Sequence, residues 1–383
     1  MKIGILQLNS TIGAFEPNRQ KLIAAYEKAV QQGAEFVIAP ELFLCGYPPR
    51  DLLLRPDFLE ANLNALSQTA ASIGQVPLCV GFVDKNPNRP GKPLFNAAAV
   101  LQAGQIVWRM NKSLLPTYDV FDEDRYFEPA KHTIPFEFKG RKVGITVCED
   151  IWNDEDFWPE RLYRRDPVKE LITQGADIIL NISASPWHVG KEKTRIAMLQ
   201  RVARDERVPL VQVNVVGAND ELIFDGHSVA LNRQGEVLAL GKGFAEDLLV
   251  VEVDGHAPGS KFNWPAKEEQ LFHALSLGIR DYVQKCGFKS VVLGLSGGID
   301  SAITAVLAVD ALGADKVMGI SMPARYSSSG SLTDAEALAK NLGIRYEVIP
   351  VEPGFQAMEG QLAKLFAGTK PNEAEENIQS RLR

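Results

Sequence analysis

The sequence predicts an α/β protein built in two parts, and three observations carry that prediction. Short apolar runs alternate with amphipathic stretches along most of the chain. Several of the runs are apolar on both faces, as strands of a helix-covered sheet must be. A stretch rich in Pro, Gly and polar residues, 254–265, then interrupts the alternation, and a second alternation begins beyond it. With 383 residues the chain has room for two or three domains.

The first part reads as strands at 3–8, 36–39, 78–83, 97–101, 143–147, 178–182, 210–214, 228–231 and 249–253. Helices are expected at 17–32, 56–73, 159–174 and 192–206. Two hairpins are expected, over 97–110 around Ala103-Gly104 and over 228–240 around Arg233-Gln-Gly235. After the linker come a helix at 268–285, a strand at 291–295, a helix at 302–312, a strand at 317–321, a helix at 334–342 and a strand at 346–349. This is the opening of a doubly wound parallel-sheet domain. A final helical stretch at 375–383 reads as cut in mid-course. About 120 residues follow the linker, near the low end for a nucleotide-binding domain, so the expectation is a partial second domain.

Composition narrows the function class. The 45% hydrophobic and 23% charged content is that of an ordinary soluble protein. A net charge of −7 argues against a general nucleic-acid binder. There is no apolar run long enough to span a bilayer and no signal-peptide pattern, so no membrane partner is expected. Cys45, Cys79, Cys148 and Cys286 lie far apart and form no CxxC pair, which points to a reducing cytoplasm rather than to zinc or a disulfide scaffold.

Two constellations carry chemistry. The first is Leu-Gly-Leu-Ser-Gly-Gly-Ile-Asp-Ser at 293–301. A strand that empties through Ser-Gly-Gly into a helix start presents bare N–H groups at the positive end of a helix dipole, an anion cradle. Gly297 and Gly298 let backbone approach a phosphate, and Asp300 beside them is a natural Mg²⁺ ligand. Ser-Gly-Gly alone would be an ordinary capped turn; the order strand, turn, acid, helix favours a nucleotide. No Gly-Lys-Ser/Thr closes the loop, so it is not a Walker A site.

The second constellation is Glu41, Lys112 and Cys148, each just past an apolar strand. Singly they are a turn acid, a solvated lysine and a small core residue. Together they suffice for amide hydrolysis through a thioester. A carboxylate whose pKa is raised by burial takes the thiol proton, and a fixed ammonium stabilises the oxyanion and favours the thiolate. None of the five histidines sits in a triad context.

The 293–301 string resembles the pyrophosphate loop of the N-type ATP pyrophosphatases, whose members cleave ATP between the α and β phosphates and leave an adenylate. Residues 1–253, with Glu, Lys and Cys in that order, resemble the nitrilase superfamily. That resemblance implies an αββα sandwich with Glu41 as general base, Lys112 as oxyanion stabiliser, Cys148 as nucleophile and Glu123 positioning the lysine.

In combination the two halves resemble the family of glutamine-dependent NAD synthetases. Supporting strings are Lys-Ser-Leu-Leu-Pro-Thr-Tyr at 112–118, Asn-Ile-Ser-Ala-Ser-Pro at 181–186, Ser-Met-Pro-Ala-Arg-Tyr-Ser-Ser-Ser at 321–329 and Glu-Asn-Ile-Gln-Ser-Arg at 376–381. The resemblance implies a glutaminase domain at 1–253, a linker at 254–266 and an incomplete synthetase domain, of the adenine nucleotide alpha-hydrolase-like class, at 267–383. It implies that Tyr118, Ser185 and Lys191 contact glutamine, and that Glu149 either holds the substrate ammonium or is an acid lying behind the contacting residues. ATP would lie on Gly294, Leu295, Ser296, Gly297, Gly298, Ile299, Asp300 and Ser301, with Mg²⁺ on Asp300 and adenine near Met322. Asn377 falls where the family binds deamido-NAD. The implied reaction hydrolyses L-glutamine at Cys148, activates deamido-NAD as its adenylate, and joins ammonia to it with loss of AMP. A passage shielding ammonia from water and a homo-oligomeric state are implied as well. The alternatives are a stand-alone amidase with a nucleotide-binding remnant and a non-catalytic partner protein.

Overall fold

Two six-stranded sheets face each other in the first unit, Met1–Ala274, of this computed structural model. The structure describes residues 1–88, 90–153, 157, 160, 162–257, 263–325, 327–368, 370 and 372–383. The chain runs through β1 (Lys2–Gln7), α1 (Phe15–Gln31), β2 (Phe36–Ile38), α2 (Pro56–Ser72), β3 (Leu78–Lys85), β4 (Leu94–Gln102) and β5 (Gln105–Asn111). It continues through β6 (Phe136–Phe138), β7 (Arg141–Val147), α3 (Pro167–Thr173), β8 (Ile178–Ser183), α4 (Lys191–Asp205) and β9 (Leu210–Asn214). Next come β10 (Val216–Asn219), β11 (Leu222–Asp225), β12 (Val229–Leu231), β13 (Val237–Leu240) and β14 (Asp247–Glu252). One sheet has the order β14-β1-β2-β3-β4-β5 and the other β13-β12-β9-β8-β7-β6. In each, three adjacent strands are parallel (β1-β2-β3 and β7-β8-β9) and the rest antiparallel.

Strands apolar on both faces make this layering possible. Ile3, Ile5, Phe36 and Ile38 from one sheet pack on Val143, Ile145, Ile178, Leu180 and Val211 from the other. The opposite face of the first sheet is covered by α1 and α2 through Leu22, Tyr26, Leu66 and Ala70. That of the second is covered by α3 and α4 through Leu171, Met198, Leu199 and Val202. The result is the expected αββα sandwich. Each fully buried Val, Ile or Leu contributes about 1.5–3 kcal/mol, enough collectively to hold polar residues at the strand ends in a dry interior.

The helix expected at 159–174 is seen at Pro167–Thr173, where Pro167 occupies the first turn and the Asp166 carboxylate accepts from the Lys169 N–H; residues 159 and 161 lie outside the described residues. Strands β6, β10 and β11 were not expected. They have three or four residues each, too few for a period-two signal. Both expected hairpins form, as β4–β5 and β12–β13.

The second unit is Leu275–Arg383. Helix α5 (Lys267–Lys285) enters it, followed by β15 (Val291–Gly294), α6 (Ile299–Leu312), β16 (Val317–Ser321), α7 (Ser329–Leu342), β17 (Arg345–Val348), α8 (Glu352–Leu362) and α9 (Glu373–Leu382). The three strands are parallel, in the order β15-β16-β17. Leu295, Ala305, Ala308, Val317, Ala335, Ala339 and Ile344 form the core between sheet and helices. Of the Pro/Gly stretch between the halves, 258–262 lies outside the described residues, as does position 326 in the 321–329 string.

Four details depart from expectation, the first being that α7 starts at Ser329 rather than 334. Helix α6 starts at Ile299 rather than 302, which places Asp300 and Ser301 in its first turn. Helix α8 was not expected, because Pro353 and Gly354 read as breakers; Pro353 lies in the first turn, where its missing N–H has no partner to lose. Helix α9 begins two residues before the expected 375, at a capping box in which Asn372 accepts from Ala374 N–H and Glu375 accepts from Asn372 N–H.

Candidate catalytic and nucleotide sites

Three strand ends converge in the first unit. Glu41 follows β2, Lys112 follows β5, and Cys148 opens a short 3-10 turn, Cys148–Ile151, at the end of β7. All three are buried, at 1%, 0% and 3% exposure, so their charges interact with little screening by water. The Lys112 Nζ donates to Glu41 Oε1 at 2.8 Å and to both oxygens of Glu123 at 2.9 Å. Asn96 Nδ2 donates to Glu41 Oε1 at 2.7 Å and to Glu123 Oε2 at 3.3 Å. The Tyr47 hydroxyl donates to Glu123 at 2.9 Å, and the Ala184 N–H to Glu41 Oε2 at 2.9 Å. Two carboxylates thus share one ammonium inside a hydrogen-bonded cage.

Backbone geometry makes the cage possible. A Cβ on Gly81 of β3 would lie 2.2 Å from Leu42 N and 2.6 Å from Glu41 Cα, so only glycine lets the Glu41 segment cross the sheet there. Cys148 has φ of 44°, a left-handed conformation that an L residue adopts at a cost of roughly 1–3 kcal/mol. It is held by Asp150, whose Oδ2 accepts from Val147 N–H at 3.1 Å while Oδ1 accepts from Ser113 and Leu114 N–H at 2.9 and 2.8 Å. One buried carboxylate therefore fastens the turn carrying the thiol to the segment carrying the ammonium. Burial, opposed by those N–H bonds, pushes Asp150 up to about 6.

Lys112 favours the thiolate, as expected, but burial and then the Glu41 charge push the Cys148 thiol well up, and the opposing pull of Lys112 is too weak to reverse them. The ammonium is already engaged by two carboxylates. For Lys112 itself, burial lowers the pKa, but Glu123 and Glu41 overcome that and hold it well above the ordinary lysine range. Burial, with Glu41 adding and Lys112 opposing, pushes Glu123 up to about 7. The resting site holds a neutral thiol beside a charged lysine, so the thiol needs a base at the moment of reaction.

Around this centre lie the four residues read as glutamine contacts. Tyr118 and Glu149 are joined by a 2.8 Å hydrogen bond, and Tyr163 donates to the same oxygen, Glu149 Oε1, at 3.1 Å. Lys191 opens α4, donates to the Pro186 carbonyl at 2.8 Å, and lies 5.4 Å from the Trp152 ring centre. Burial, then Arg195, lowers its pKa. Ser185 donates its backbone N–H to Asn214 Oδ1, and Asn214 Nδ2 donates to Asp225, which is paired with buried Arg195 at 2.7 Å.

In the second unit, β15 empties into 295–298 and the first turn of α6, as expected. Gly297 has φ of +78°, and a Cβ there would meet Ser331 O at 2.5 Å. Ser301 Oγ accepts from Ser296 N–H at 3.2 Å and donates to Gly298 O at 3.0 Å, closing the loop on itself. A cavity of about 410 Å³ beside it is lined by Gly294, Leu295, Ser296, Met322, Glu376 and Arg383, among others. Gly297, Gly298, Ile299, Asp300, Ser301 and Asn377 do not line that cavity; Asp300 and Asn377 are exposed on their helices. Among the described residues no three His, Cys, Asp or Glu side chains cluster as metal ligands. A single exposed carboxylate beside a glycine-rich loop at a helix start is compatible with Mg²⁺, which would keep water and take phosphate oxygens as its other ligands.

Asn96, Tyr47, Asp150, Tyr163 and Gly81 were not singled out from the sequence. Asn96 carried a usable signal, a lone amide inside the apolar run Phe-Asn-Ala-Ala-Ala-Val at 95–100.

Residues 2–257 match the family model described as carbon-nitrogen hydrolase, and residues 271–383 match that described as NAD synthase. The glutamine-dependent NAD(+) synthetase of Synechocystis sp. is 45% identical over 390 residues, covering all of this chain and 70% of the relative. That of Thermotoga maritima is 38% identical, over all of this chain and 71% of the relative. The solved glutamine-dependent NAD+ synthetase of Acinetobacter baumannii, in complex with adenosine diphosphate, superposes with a TM-score of 0.88 at 34% identity, over all of this chain and 70% of that one. An amidase of the nitrilase superfamily from Nesterenkonia, 23% identical with a TM-score of 0.55 over 66% of this chain and 89% of that one, shares the fold of the first unit.

Proposed function

The chain belongs to the family of glutamine-dependent NAD(+) synthetases, and on that premise we propose how its residues divide the reaction. The first unit hydrolyses L-glutamine; the second uses ATP to activate deamido-NAD, which ammonia converts to NAD. A stand-alone amidase is not favoured, because 271–383 match the NAD synthase family.

Glu41 takes the Cys148 proton as the sulfur attacks the γ-amide carbon of glutamine. Lys112 neutralises the oxyanion that forms. The C–N bond breaks, ammonia leaves with the proton from Glu41, and a thioester remains. Water attacks the thioester with Glu41 again as base, and glutamate leaves as the thiol is restored. Glu123, Asn96 and Tyr47 keep the ammonium and the base in place. Tyr118, Glu149, Ser185 and Lys191 hold the amino-acid end of the substrate. The observation that carries this reading is Lys112 hydrogen-bonded to Glu41 and Glu123 beside a strained, buried Cys148.

In the second unit, Gly294 to Ser301 and Met322 hold ATP, and Asn377 meets deamido-NAD. Asp300 would hold Mg²⁺, which supplies positive charge to the phosphates. The nicotinate carboxylate attacks the α phosphorus, pyrophosphate leaves, and ammonia then displaces AMP. A relative solved in complex with adenosine diphosphate supports nucleotide binding by this chain. The domain division at 1–253, 254–266 and 267–383 goes with this reading. So does a homo-oligomer in the cytoplasm, where four unpaired cysteines are at home.

The test is to supply glutamine, Mg-ATP and deamido-NAD and follow glutamate, AMP and NAD. Cys148→Ala is expected to abolish glutamate release, by at least about a thousandfold; measurable hydrolysis at the wild-type rate would remove Cys148 as nucleophile.

A further inference from the structure

Two phenols converge on one oxygen of a carboxylate next to the candidate nucleophile. Tyr118 and Tyr163 both donate to Glu149 Oε1, at 2.8 and 3.1 Å. The described side-chain hydrogen bonds to Glu149 fall on that oxygen, which leaves Oε2 to face an incoming donor. Glu149 is 3% exposed. Burial raises its pKa, and the opposing influences include Lys112 and the two phenols. Hydrogen bonds from the two phenols favour its charged form.

Tyr163 is itself held from a distance. Asn153 Nδ2 donates to the Tyr163 carbonyl at 2.9 Å and to the Arg165 carbonyl at 2.6 Å, and Asn153 Oδ1 accepts from the Tyr163 N–H at 3.3 Å. Asn153 is 3% exposed, so this clamp is protected from competing water. Across the site Lys191 supplies a cation, largely buried against Trp152 and Phe121. An anion and a cation held near enough to feel each other's charge are complementary to a zwitterion.

We propose that Tyr163, clamped by Asn153, is a specificity-determining residue: it orients Glu149 so that the free oxygen meets the α-ammonium of the substrate, selecting an α-amino acid amide over the same amide without its amino group. The proposal rests on the glutaminase reading and deepens it. A site built around a satisfied polar pair rejects a ligand lacking the matching group far better than an apolar pocket does. Tyr163 acts through Glu149 and takes no part in the bond-making steps, so its removal shifts recognition and leaves turnover alone.

The experiment measures glutamine hydrolysis by the whole chain and its inhibition by glutamate and by glutarate, which differ only in the ammonium group. Tyr163→Phe is expected to raise KM for glutamine and Ki for glutamate about tenfold, the weight of one hydrogen bond to a charged group, with kcat and Ki for glutarate unchanged. Asn153→Ala is expected to give the same pattern. Parallel rises in both inhibition constants would show a merely structural role and overturn the proposal, as would no change in either variant. A wild-type chain that does not hydrolyse glutamine would defeat the underlying reading instead, so the two failures are told apart.

Discussion

The two candidate sites treat polar atoms in opposite ways. In the first unit Glu41, Lys112 and Glu123 are buried and bound to one another, and Asn96, Tyr47 and a backbone N–H complete the cage. In the second unit the loop after β15 is largely exposed: Leu295 is tied to β16, Ser296, Gly298 and Ser301 bond to one another, and Asp300 is exposed. Bond cleavage at an amide needs charges fixed before the substrate arrives, which a dry interior provides. Binding a triphosphate needs backbone and charge left open to a large, hydrated ligand. Burial therefore separates a site sized for a small amide from one that must also admit a large, hydrated nucleotide.

Removing the shared cation tests that contrast most severely. Lys112→Met leaves two buried carboxylates without their counter-charge, and such a loss costs about 3–5 kcal/mol. Chemical denaturation of the first unit should show it alongside loss of glutamate release. A change below about 1 kcal/mol would mean that the cage does not depend on the ammonium.

Asp150 sharpens the same point through pH. Its pKa is raised from 3.8 to about 6, so the folded state holds the proton more tightly than the unfolded chain. An acid raised in this way contributes most below its unfolded pKa, and the contribution is lost as pH climbs toward the folded value. Wild type should therefore lose stability relative to Asp150→Asn between about pH 4 and 6, by roughly 2–3 kcal/mol. Unfolding midpoints of the two proteins across that window provide the measurement; a constant gap between them would refute buried ionisation as the cause.

The smallest effect is expected in the second unit. Asp300→Ala should leave stability within about 0.5 kcal/mol, as exposed substitutions do, and leave glutamate release intact. Mg-ATP affinity, read by calorimetry, should fall about tenfold, the size of one lost charged contact. Unchanged affinity would remove Asp300 from the metal site.

The candidate site residues at strand ends could be singled out from sequence alone because each breaks a clean pattern. Glu41, Lys112 and Cys148 follow apolar runs, and Gly297, Gly298 and Asp300 sit where a strand turns into a helix. What the sequence could not convey was partnership across long separations. Asn96 reaches Glu41, 55 positions away, and Tyr47 reaches Glu123, 76 positions away; no local period encodes either. The balance of charges at Cys148 was hidden for a related reason: the sequence offers Lys112 as a cation favouring the thiolate, and the fold adds the burial and the Glu41 charge that outweigh it. Strands β6, β10 and β11 escaped notice because they are too short to show a period, and α8 because Pro353 and Gly354 mimic a break.

Gly81 has no functional group, no charge and no ligand, yet the main chain bearing Glu41 rests against its bare α-carbon. Even one added methyl would have to push that segment outward and carry the carboxylate away from the sulfur. Surveys that look for inactive variants only among ionisable side chains would pass over this position, although an alanine there should disarm the protein as thoroughly as loss of the acid itself.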